Sequence, residues 1–544
     1  MKFSISSLAV FLVFLFKFLL SQNFIYDNED WFVLKNPGQI FSMTEAPFNL
    51  FFGSENGIYN YNKLKKTVSY DFQVNRGLIN HKIFLIHYDN FSDQIWLITD
   101  KGILFKNPIL NDYKKVVPGS GHLRLDYKSM NKIGSTNEYI IIDYFSDYIF
   151  IDPFSGDIVE YDFGVDLDKV SWSPSYRSQN KGVDLSKYYL DGWLIGIESI
   201  VDIYGNEDYV TFFYEDDDLN IWFGTNKGKL IKGFKYDNKI DVLKVGPDWE
   251  GITSMTSDTL GNIYMSSGQF RRFGQSQKLN YLKESNPFIS VWSESENSWS
   301  SWNEDDFPLI ISPDINSILN LNDTYIALGT MSGLFIISKN NIKDYYVISK
   351  KDGLPDDAVF KFVLYEDSLF IMTYNGIAEY SMNDKILIKN NIFNDFAIDR
   401  LDFLDMVLYD ENIFISTRAG LFRYSVDSNN LDKIDDIILN QIDYYNGKIY
   451  GLNTMLWSID LNQSKKEIIY SGNCRNFQIV DDYIWLNLSD KIKLISLSSR
   501  EHWNYGYHDG FHGFEIFEIK EDKGWVSFLT SDGVIFYNWR NYHN

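Results

Sequence analysis

Several residue types and patterns are scarce in this chain. Its 544 residues include one cysteine, Cys474, so no disulfide can form within the chain. After the N-terminus, no stretch shows the 3.6-residue hydrophobic period of an amphipathic helix or the roughly 20 apolar residues of a membrane span. These absences argue against a disulfide-stapled domain, a mainly helical fold and an integral membrane protein.

An excess of positive charge and recognisable catalytic motifs are also missing. The net charge is −24, and no cluster of Lys and Arg stands out beyond Lys63–Lys66 and the pair Arg271 and Arg272. A nucleic-acid partner needs a positive face, so no nucleic-acid binding is expected, and anionic membrane surfaces are disfavoured for the same reason. The chain has no Gly-x-Ser-x-Gly elbow, His-Glu-x-x-His helix or phosphate-binding glycine-rich loop. We assign no residue as catalytic, cofactor-binding or metal-ligating.

A short motif, Ser/Thr-x-x-Gly, recurs along the chain after an apolar segment and is followed by another apolar segment. The copies are Ser54–Gly57, Thr99–Gly102, Thr225–Gly228, Thr330–Gly333, Thr373–Gly376, Thr417–Gly420 and Thr530–Gly533. Each predicts two adjacent strands joined by a turn whose glycine adopts a positive φ. The composition agrees, because aromatic residues make up 17% of the chain and suit a pleated, half-buried surface.

The spacing of the copies is about 43 residues, the length of a four-stranded propeller blade. Degenerate copies fit the gaps at Tyr139–Ile151, Ile263–Phe273, Ile449–Ile459 and Ile484–Ile495, and a weak one is placed near Trp193–Ile200. These units predict about 12 blades. One ring holds about 4 to 8 blades, so we expect an all-β fold of two tandem β-propellers, divided 6+6, 5+7 or 7+5.

A second element, ahead of the turn motif, shows which repeat family the chain resembles. It occurs at Asn75–Leu78, Lys351–Pro355 and His508–Phe511, and the unit Asp352–Tyr380 joins both elements. This unit resembles the two-component-regulator propeller repeat, and Asn220–Gly228 is similar to its aromatic strand and turn. Such repeats occur in periplasmic sensor halves of hybrid histidine kinases and in stand-alone exported proteins, among them a type IX secretion component. The chain carries no recognisable kinase domain or C-terminal sorting domain.

The N-terminal residues predict export. Lys2 precedes an apolar run, Phe3–Leu20, which ends at polar residues and is interrupted by Lys17. This pattern is typical of a secretory signal, which we place at residues 1–22. No cysteine lies near the end of this segment to carry a lipid anchor. We expect an exported protein of the bacterial periplasm or outer surface, with cleavage of the signal left open.

One segment departs from the repeat and marks the expected domain limit. Ser290–Pro308 carries Trp292, Trp299 and Trp302 among polar residues. We interpret it as an outer strand followed by the crossover between rings, with an aromatic contact surface as the alternative. The expected domains are residues 23–300 and 301–544. The strand at residues 30–34 has no blade before it, so we expect it to complete a blade formed by later residues.

Three groups could carry chemistry, but each has a structural interpretation. His502, His508 and His512 could bind a metal, although two of them fall at repeat turns. The acidic run Glu215–Asn220 could bind calcium, but Asp and Asn are favoured in hairpin turns. Cys474 is interpreted as an incidental or buried thiol. No cofactor is therefore expected, and calcium remains unsupported.

The leading functional hypothesis is a non-catalytic, exported scaffold that binds a protein or glycan partner at the cell envelope. A rigid propeller presents many loops around a central funnel, and no catalytic constellation is visible. One alternative is a propeller enzyme of the polysaccharide lyase or glycoside hydrolase type, since 74 acidic residues could include a catalytic pair. The other is a sensor ectodomain that acts through a separate membrane partner.

Overall fold

The fold is all-β, as the sequence predicts. We describe it from a computed structural model. Residues 30–543 are described, apart from 79–80, 108–112, 118–124, 146, 161–163, 176–183, 204, 250, 268, 273–274, 279–286, 304–305, 308–314, 394–402, 464, 507–508, 510 and 512–514. The expected signal segment, residues 1–22, lies outside the described residues. No helix in the described part of the chain is long and apolar enough to cross a membrane.

The chain begins with β1 (Trp31–Leu34) and then forms four blades, which we call ring one. Blade 1 contains β2 (Ile40–Glu45), β3 (Asn49–Ser54), β4 (Gly57–Asn62) and β5 (Thr67–Tyr70), and is followed by the single helical turn α1 (Phe72–Asn75). Blade 2 contains β6 (Ile83–Asp89), β7 (Gln94–Thr99), β8 (Ile103–Lys106) and β9 (Lys114–Lys115). Blade 3 contains β10 (Met130–Ser135), β11 (Ile140–Tyr144), β12 (Asp147–Ile151) and β13 (Ile158–Val159).

Four short strands precede the last blade of ring one. They are β14 (Ser171–Trp172), β15 (Tyr189–Leu190), β16 (Leu194–Ile195) and β17 (Ser199–Val201). Blade 4 contains β18 (Glu207–Glu215), β19 (Asn220–Thr225), β20 (Lys229–Phe234) and β21 (Lys239–Lys244). Strands β16 and β17 extend the sheet of blade 4 beyond β18, and β15 pairs with β21.

Seven further blades form ring two. Blade 5 contains β22 (Ser254–Ser257), β23 (Asn262–Ser266), β26 (Pro287–Ser293) and β27 (Ser298–Asn303), with the hairpin β24 (Gln269–Arg272) and β25 (Gln275–Lys278) inserted. Blade 6 contains β28 (Ile315–Asn320), β29 (Tyr325–Thr330), β30 (Gly333–Ser338) and β31 (Tyr345–Ile348). Blade 7 contains β32 (Val359–Tyr365), β33 (Ser368–Thr373), β34 (Ile377–Ser381) and β35 (Ile386–Lys389).

The remaining blades complete ring two. Blade 8 contains β36 (Phe403–Tyr409), β37 (Asn412–Thr417), β38 (Gly420–Ser425) and β39 (Asn430–Asp435). Blade 9 contains β40 (Gln441–Tyr445), β41 (Lys448–Leu452), β42 (Leu456–Asp460) and β43 (Lys466–Tyr470). Blade 10 contains β44 (Cys474–Val480), β45 (Tyr483–Leu488), β46 (Ile492–Ser496) and β47 (His502–Tyr505). Blade 11 contains β48 (Ile516–Asp522), β49 (Trp525–Thr530) and β50 (Gly533–Tyr537), and β1 supplies its fourth strand by pairing with β50.

The described residues form 11 blades rather than about 12, divided four and seven. The unit expected near Trp193–Ile200 is the source of the difference, because its strands β16 and β17 join the sheet of blade 4. Short apolar segments can extend an existing sheet edge as well as found a new blade, and spacing alone does not separate the two cases.

The Ser/Thr-x-x-Gly motif forms the hairpin between the second and third strands of a blade. In six copies the buried hydroxyl donates to the glycine carbonyl oxygen, at 2.8–3.0 Å. In the seventh copy Thr225 instead accepts from the backbone N–H of Lys229, at 2.9 Å. The glycine has a positive φ in every copy except Gly376, which confirms the predicted turn for six of the seven.

These hairpins define the two faces of each ring. In every blade the chain runs outward through antiparallel strands, so the hairpins between second and third strands lie on the same face as the links between blades. We call this the upper face. The turns between first and second strands, and between third and fourth strands, lie on the opposite, lower face.

Among the described residues, buried polar side chains meet at the centre of ring one. The inner strands β18, β2, β6 and β10 pack in that order, and β14 pairs with β10. His87, which is 3% exposed, lies 2.8 Å from Ser173 Oγ through Nδ1 and 2.9 Å from Ser135 Oγ through Nε2. The hydroxyl of Ser173 also donates to Thr44 Oγ1 at 3.1 Å. Ring one therefore has a closed, polar centre.

Ring one is inserted in the sequence of ring two. The expected limit between residues 300 and 301 falls inside β27, which pairs with β26 in blade 5. The links between rings are residues 35–39 and 245–253, which meet where Asn36 Nδ2 donates to the carbonyl oxygen of Pro247 at 2.6 Å. We therefore propose residues 40–244 as one domain and residues 31–34 with 254–537 as the other.

The tryptophan-rich segment belongs to the outer strands of blade 5. Trp292 and Trp299 face each other across β26 and β27 and pack on the core with Phe32 of β1. Trp302 is buried. Lys244 of ring one donates to Asp248 and to Ser301 at the junction between the rings. The segment therefore packs within blade 5 and against ring one instead of forming a free aromatic surface.

Candidate binding channel in ring two

Ring two is closed by hydrogen bonds between the innermost strands of neighbouring blades. At each of the seven junctions a side chain from one strand bonds to the next strand. The bonds are Asn316 Nδ2 to Val359 O (2.8 Å), Lys361 Nζ to Asp405 Oδ1 (2.6 Å), Ile442 N to Asp405 Oδ2 (2.9 Å), Gln441 Nε2 to Phe477 O (2.6 Å), Asn476 Nδ2 to Phe517 O (2.9 Å), Lys520 Nζ to Met255 O (3.0 Å) and Asn320 N to Thr256 Oγ1 (3.1 Å). We call this set the inner belt. It joins the seven inner strands into a closed ring at fixed spacing around an open centre.

A cavity of about 400 Å³, which we call the channel, lies inside the inner belt. Its wall comes mainly from the first five residues of the inner strands, with Met372 and Leu452 from the ends of second strands, so it lies toward the upper face. All seven blades contribute to the wall. This volume is at the small end of ligand pockets in proteins.

β-bulges shape the cavity wall. Five of the seven inner strands of ring two have a register shift at their second residue, which turns an extra side chain toward the centre. These residues are Asn316, Phe360, Leu404, Arg475 and Phe517, and all five line the cavity. The bulges thus place two aromatic rings, a guanidinium group and an amide at the wall.

Three ion pairs lie in the cavity wall. Lys361 pairs with Asp405 at 2.6 Å, Arg475 with Glu515 at 3.5 Å, and Lys520 with Glu518 at 3.5 Å. The cation side chains are 41%, 32% and 29% exposed. The two longer pairs lie at the limit of hydrogen-bond distance, so they are looser contacts than the pair of Lys361 and Asp405.

Two titratable groups of the inner strands have shifted pKa values, and of the two Lys361 lines the cavity. Burial lowers the pKa of Lys361, but the ion pair with Asp405 and other nearby carboxylates leave that pKa above its usual value. Burial raises the pKa of Asp443 to about 6, against hydrogen bonds from the backbone N–H groups of Ile479 and Tyr444. Lys361 is therefore a fixed cation, and Asp443 can change charge near neutral pH.

Unused acceptors also lie at the cavity. The buried atoms Asn316 Oδ1, Ser317 Oγ and Asn476 Oδ1 have no hydrogen-bond partner in the described structure. Their residues line the cavity, and two of them donate through another atom to the inner belt. A buried polar atom without a partner costs about 1–3 kcal/mol of free energy.

The residues singled out from the sequence lie elsewhere. His502 is an exposed residue of the outer strand β47, whereas His508 and His512 lie outside the described residues. No cluster of three metal-ligating side chains occurs among the described residues. Cys474 is 2% exposed, and burial raises the pKa of its thiol to about 12. A thiol in this environment is a poor nucleophile.

The acidic run has a structural role in its turn. The carboxylate of Asp216 accepts from Asn220 N at 2.8 Å, from Asn220 Nδ2 and from Trp222 Nε1 at 2.8 Å. Asp258 repeats the arrangement with Asn262 and Tyr264 in the next blade. Both oxygens of Asp216 are thus occupied by donors of its own hairpin, which is the geometry of a structural turn.

The comparisons with known proteins concern the fold. No family model and no curated protein matches the sequence. The structure is similar to that of PorZ, described as an essential bacterial surface component of the type IX secretion system of Porphyromonas gingivalis. The TM-score is 0.52 at 12% identity, over 94% of this chain and 87% of PorZ. The resemblance is confirmed at the level of the fold.

Two sensor ectodomains from B. thetaiotaomicron are also similar. The extracellular domain assigned to the hybrid two-component system BT4673 has a TM-score of 0.44 at 12% identity, over 91% of this chain and 70% of that domain. The corresponding domain of BT3049 has a TM-score of 0.43 at 13% identity, over 91% of this chain and 67% of that domain.

The sequence predicts a central funnel but does not identify the residues that line it. Its polar residues stand at the starts of short apolar strands, as in Asn440–Asp443 and Arg475–Gln478. Amide and charged residues at the starts of inner strands in several repeats indicate a polar cavity, because an inner strand that packs only on apolar protein atoms needs no polar side chains there. The β-bulges that orient these side chains cannot be predicted from the spacing of the repeats.

Proposed function

We propose that this chain is an exported, non-catalytic scaffold that binds an envelope protein or a glycan through the channel of ring two. The observation that carries the proposal is the open, polar cavity of about 400 Å³, set against the filled centre of ring one. The apolar segment after Lys2 supports export, and PorZ, with the same fold, is a bacterial surface component.

The wall chemistry supports binding of a polar ligand. Amides, three cations and three carboxylates alternate around the cavity, next to the rings of Phe360 and Phe517. Sugar hydroxyls and peptide groups each need both donors and acceptors, and aromatic rings can pack on the apolar faces of either ligand. In a chain of net charge −24, a wall with balanced charges is a local exception.

The enzyme alternative has one supporting observation, the raised pKa of Asp443. Both oxygens of this carboxylate are occupied, by Tyr444 N at 2.8 Å, Ile479 N at 3.0 Å and Gln478 Nε2 at 2.8 Å. No histidine or tyrosine is among the described residues that line the cavity. A general acid must reach its substrate, so this arrangement favours binding over catalysis. The sensor alternative needs a membrane partner, which the neighbouring genes would reveal.

Affinity capture from the exported fraction of the host tests the proposal. The bait is the chain from residue 23, compared with the double variant Arg475→Ala, Glu515→Ala, which removes an ion pair of the wall but leaves the inner belt intact. The matched control is Arg423→Ala, Asp432→Ala, an ion pair of 3.4 Å on the outer strands of blade 8. A glycan array is probed with the same three proteins.

We expect one protein or glycan to bind the wild type and the control at least ten times more tightly than the channel variant. Equal binding to all three proteins would place the partner elsewhere on the molecule. Turnover of a polysaccharide panel, lost in Asp443→Asn, would favour the enzyme instead.

A further inference from the structure

Large apolar side chains stand exposed on the lower face of ring one, away from the channel. All four blades contribute, and the exposed fractions range from 43% to 78%. The residues are Phe48, Leu64, Phe91, Phe154, Phe234 and Tyr236. Each lies in a lower-face turn or at its edge, so we call this set the apolar tips. Isolated exposed apolar residues are ordinary, but a set to which every blade of a ring contributes on the same face marks an interaction surface.

The lower face of ring two provides an internal comparison. Among its described turns and their edges, only Leu260, Ile386 and Tyr409 are large apolar residues of similar exposure, although seven blades contribute. Tyr409 also stacks on Tyr444, with ring centroids 3.8 Å apart. The same repeat therefore tolerates polar lower-face turns, and the tips of ring one are not a requirement of the blade.

Contacts between the turns hold the tips in fixed positions. The rings of Phe91 and Phe154 meet edge to face across blades 2 and 3, with centroids 5.8 Å apart. Glu45 of blade 1 accepts from Tyr214 Oη at 2.7 Å and from Asp217 N at 3.2 Å, both of blade 4. The tips thus form one preorganised surface rather than independent mobile loops.

Charge on this face is mixed. Lys63 is paired with Glu45, and Lys235 with Glu215 at 2.6 Å. Lys65 and Lys66, next to the most exposed tip, are exposed and have no ion-pair partner in the described structure. Exposed carboxylates such as Asp217 offset them, so the face has no strong positive field. A partner that binds mainly through its own negative charge therefore does not fit this face. Lys65 and Lys66 can still reach individual phosphate groups.

We propose that the lower face of ring one docks on the interface of a lipid bilayer with zwitterionic headgroups, with the apolar tips inserted among them. Phenylalanine, tyrosine and leucine partition into this interface, and flanking lysines reach the headgroup phosphates. The tips lie in separate turns, with polar residues between them. That arrangement suits a fluid partner, which can close around each tip, better than a rigid protein surface, which would need a matching pocket for each.

Vesicle flotation tests this proposal. The chain from residue 23 retains every described residue and lacks the N-terminal apolar run, which would itself bind lipid. It is mixed with phosphatidylcholine vesicles, and separately with vesicles that also contain phosphatidylglycerol. The tip variant carries Phe48→Ser, Leu64→Ser, Phe91→Ser and Tyr236→Ser, and the control carries Leu260→Ser, Tyr409→Ser, Ile386→Ser and Ile388→Ser in ring two.

We expect the wild type and the control to float with phosphatidylcholine vesicles and the tip variant to lose at least tenfold in bound fraction. Leu64→Ser alone, at the most exposed tip, should weaken binding measurably while leaving the thermal unfolding temperature unchanged. A wild type that stays unbound, a tip variant that binds equally, or binding only with phosphatidylglycerol would each overturn the proposal. Because the channel lies in the other ring, none of these results bears on the proposed partner site.

Discussion

Asp216 provides the sharpest test of how the blade turns are stabilised. The residue is 4% exposed, and its carboxylate receives hydrogen bonds from Asn220 and from the indole N–H of Trp222. Trp222 is fully buried in the cluster that joins blades 1 and 4. Replacing Asp216 with alanine leaves the buried indole N–H without an acceptor and removes the acceptor that closes the turn.

The magnitude follows from these contacts. An unsatisfied buried donor costs about 1–3 kcal/mol, and hydrogen bonds to a charged acceptor contribute about 1.5–3 kcal/mol. We therefore expect Asp216→Ala to destabilise ring one by roughly 3–4 kcal/mol. For a domain of roughly 200 residues, this loss corresponds to a decrease in Tm of about 6–16 °C. Differential scanning calorimetry measures it as a shift of the transition of ring one.

The adjacent residue is a matched control for charge and position. Asp217 lies in the same turn but is exposed, and only its backbone N–H is bonded, to Glu45. We expect Asp217→Ala to change the stability by less than about 0.5 kcal/mol. Asp216→Asn should fall between the two, because the amide oxygen still accepts from Trp222. Equal losses for Asp216→Ala and Asp217→Ala, together with a rise in Tm on adding calcium, would refute the structural interpretation and support an ion site.

Three further predictions concern pH, backbone and ring closure. Burial lowers the pKa of His87 to about 4, so the folded state binds fewer protons than the unfolded state. The stability of ring one should therefore fall by roughly 3 kcal/mol as the pH drops from 7 to 4. His87→Gln should largely remove this pH dependence, as measured in unfolding curves. Gly533→Ala should lower the free energy of unfolding in urea by at least about 2 kcal/mol, because a Cβ would lie 2.2 Å from Leu34 O at φ +130°. Gly192→Ala, with no atom within 4 Å, should lower it by about 1 kcal/mol. Trp31→Ala should destabilise ring two by about 3–5 kcal/mol, since this residue is 5% exposed in the closing strand; a Tm unchanged in calorimetry would contradict that role.

Local chemistry made much of the fold predictable. Ser or Thr followed three residues later by Gly specifies a tight hairpin by itself, because the hydroxyl bonds to the glycine carbonyl within the same four residues. The degenerate hairpins at Ile449–Ile459 and Ile484–Ile495 were found by spacing alone. The number of blades was overestimated where strands β16 and β17 joined an existing sheet, since edge pairing depends on which strands meet in space.

The sequence by itself determined the all-β blade as the repeating unit, because each blade is stabilised by short-range turns and alternating apolar residues that repeat along the chain. Only the tertiary structure decided where the centre of a ring is filled and where it is open. His87, Ser135 and Ser173 are 86 residues apart at the most and meet in ring one, while Asn316 and Asn476 stand in the wall of a cavity in ring two. Such sites form from residues of separate repeats, brought together by ring closure, and no single repeat records them.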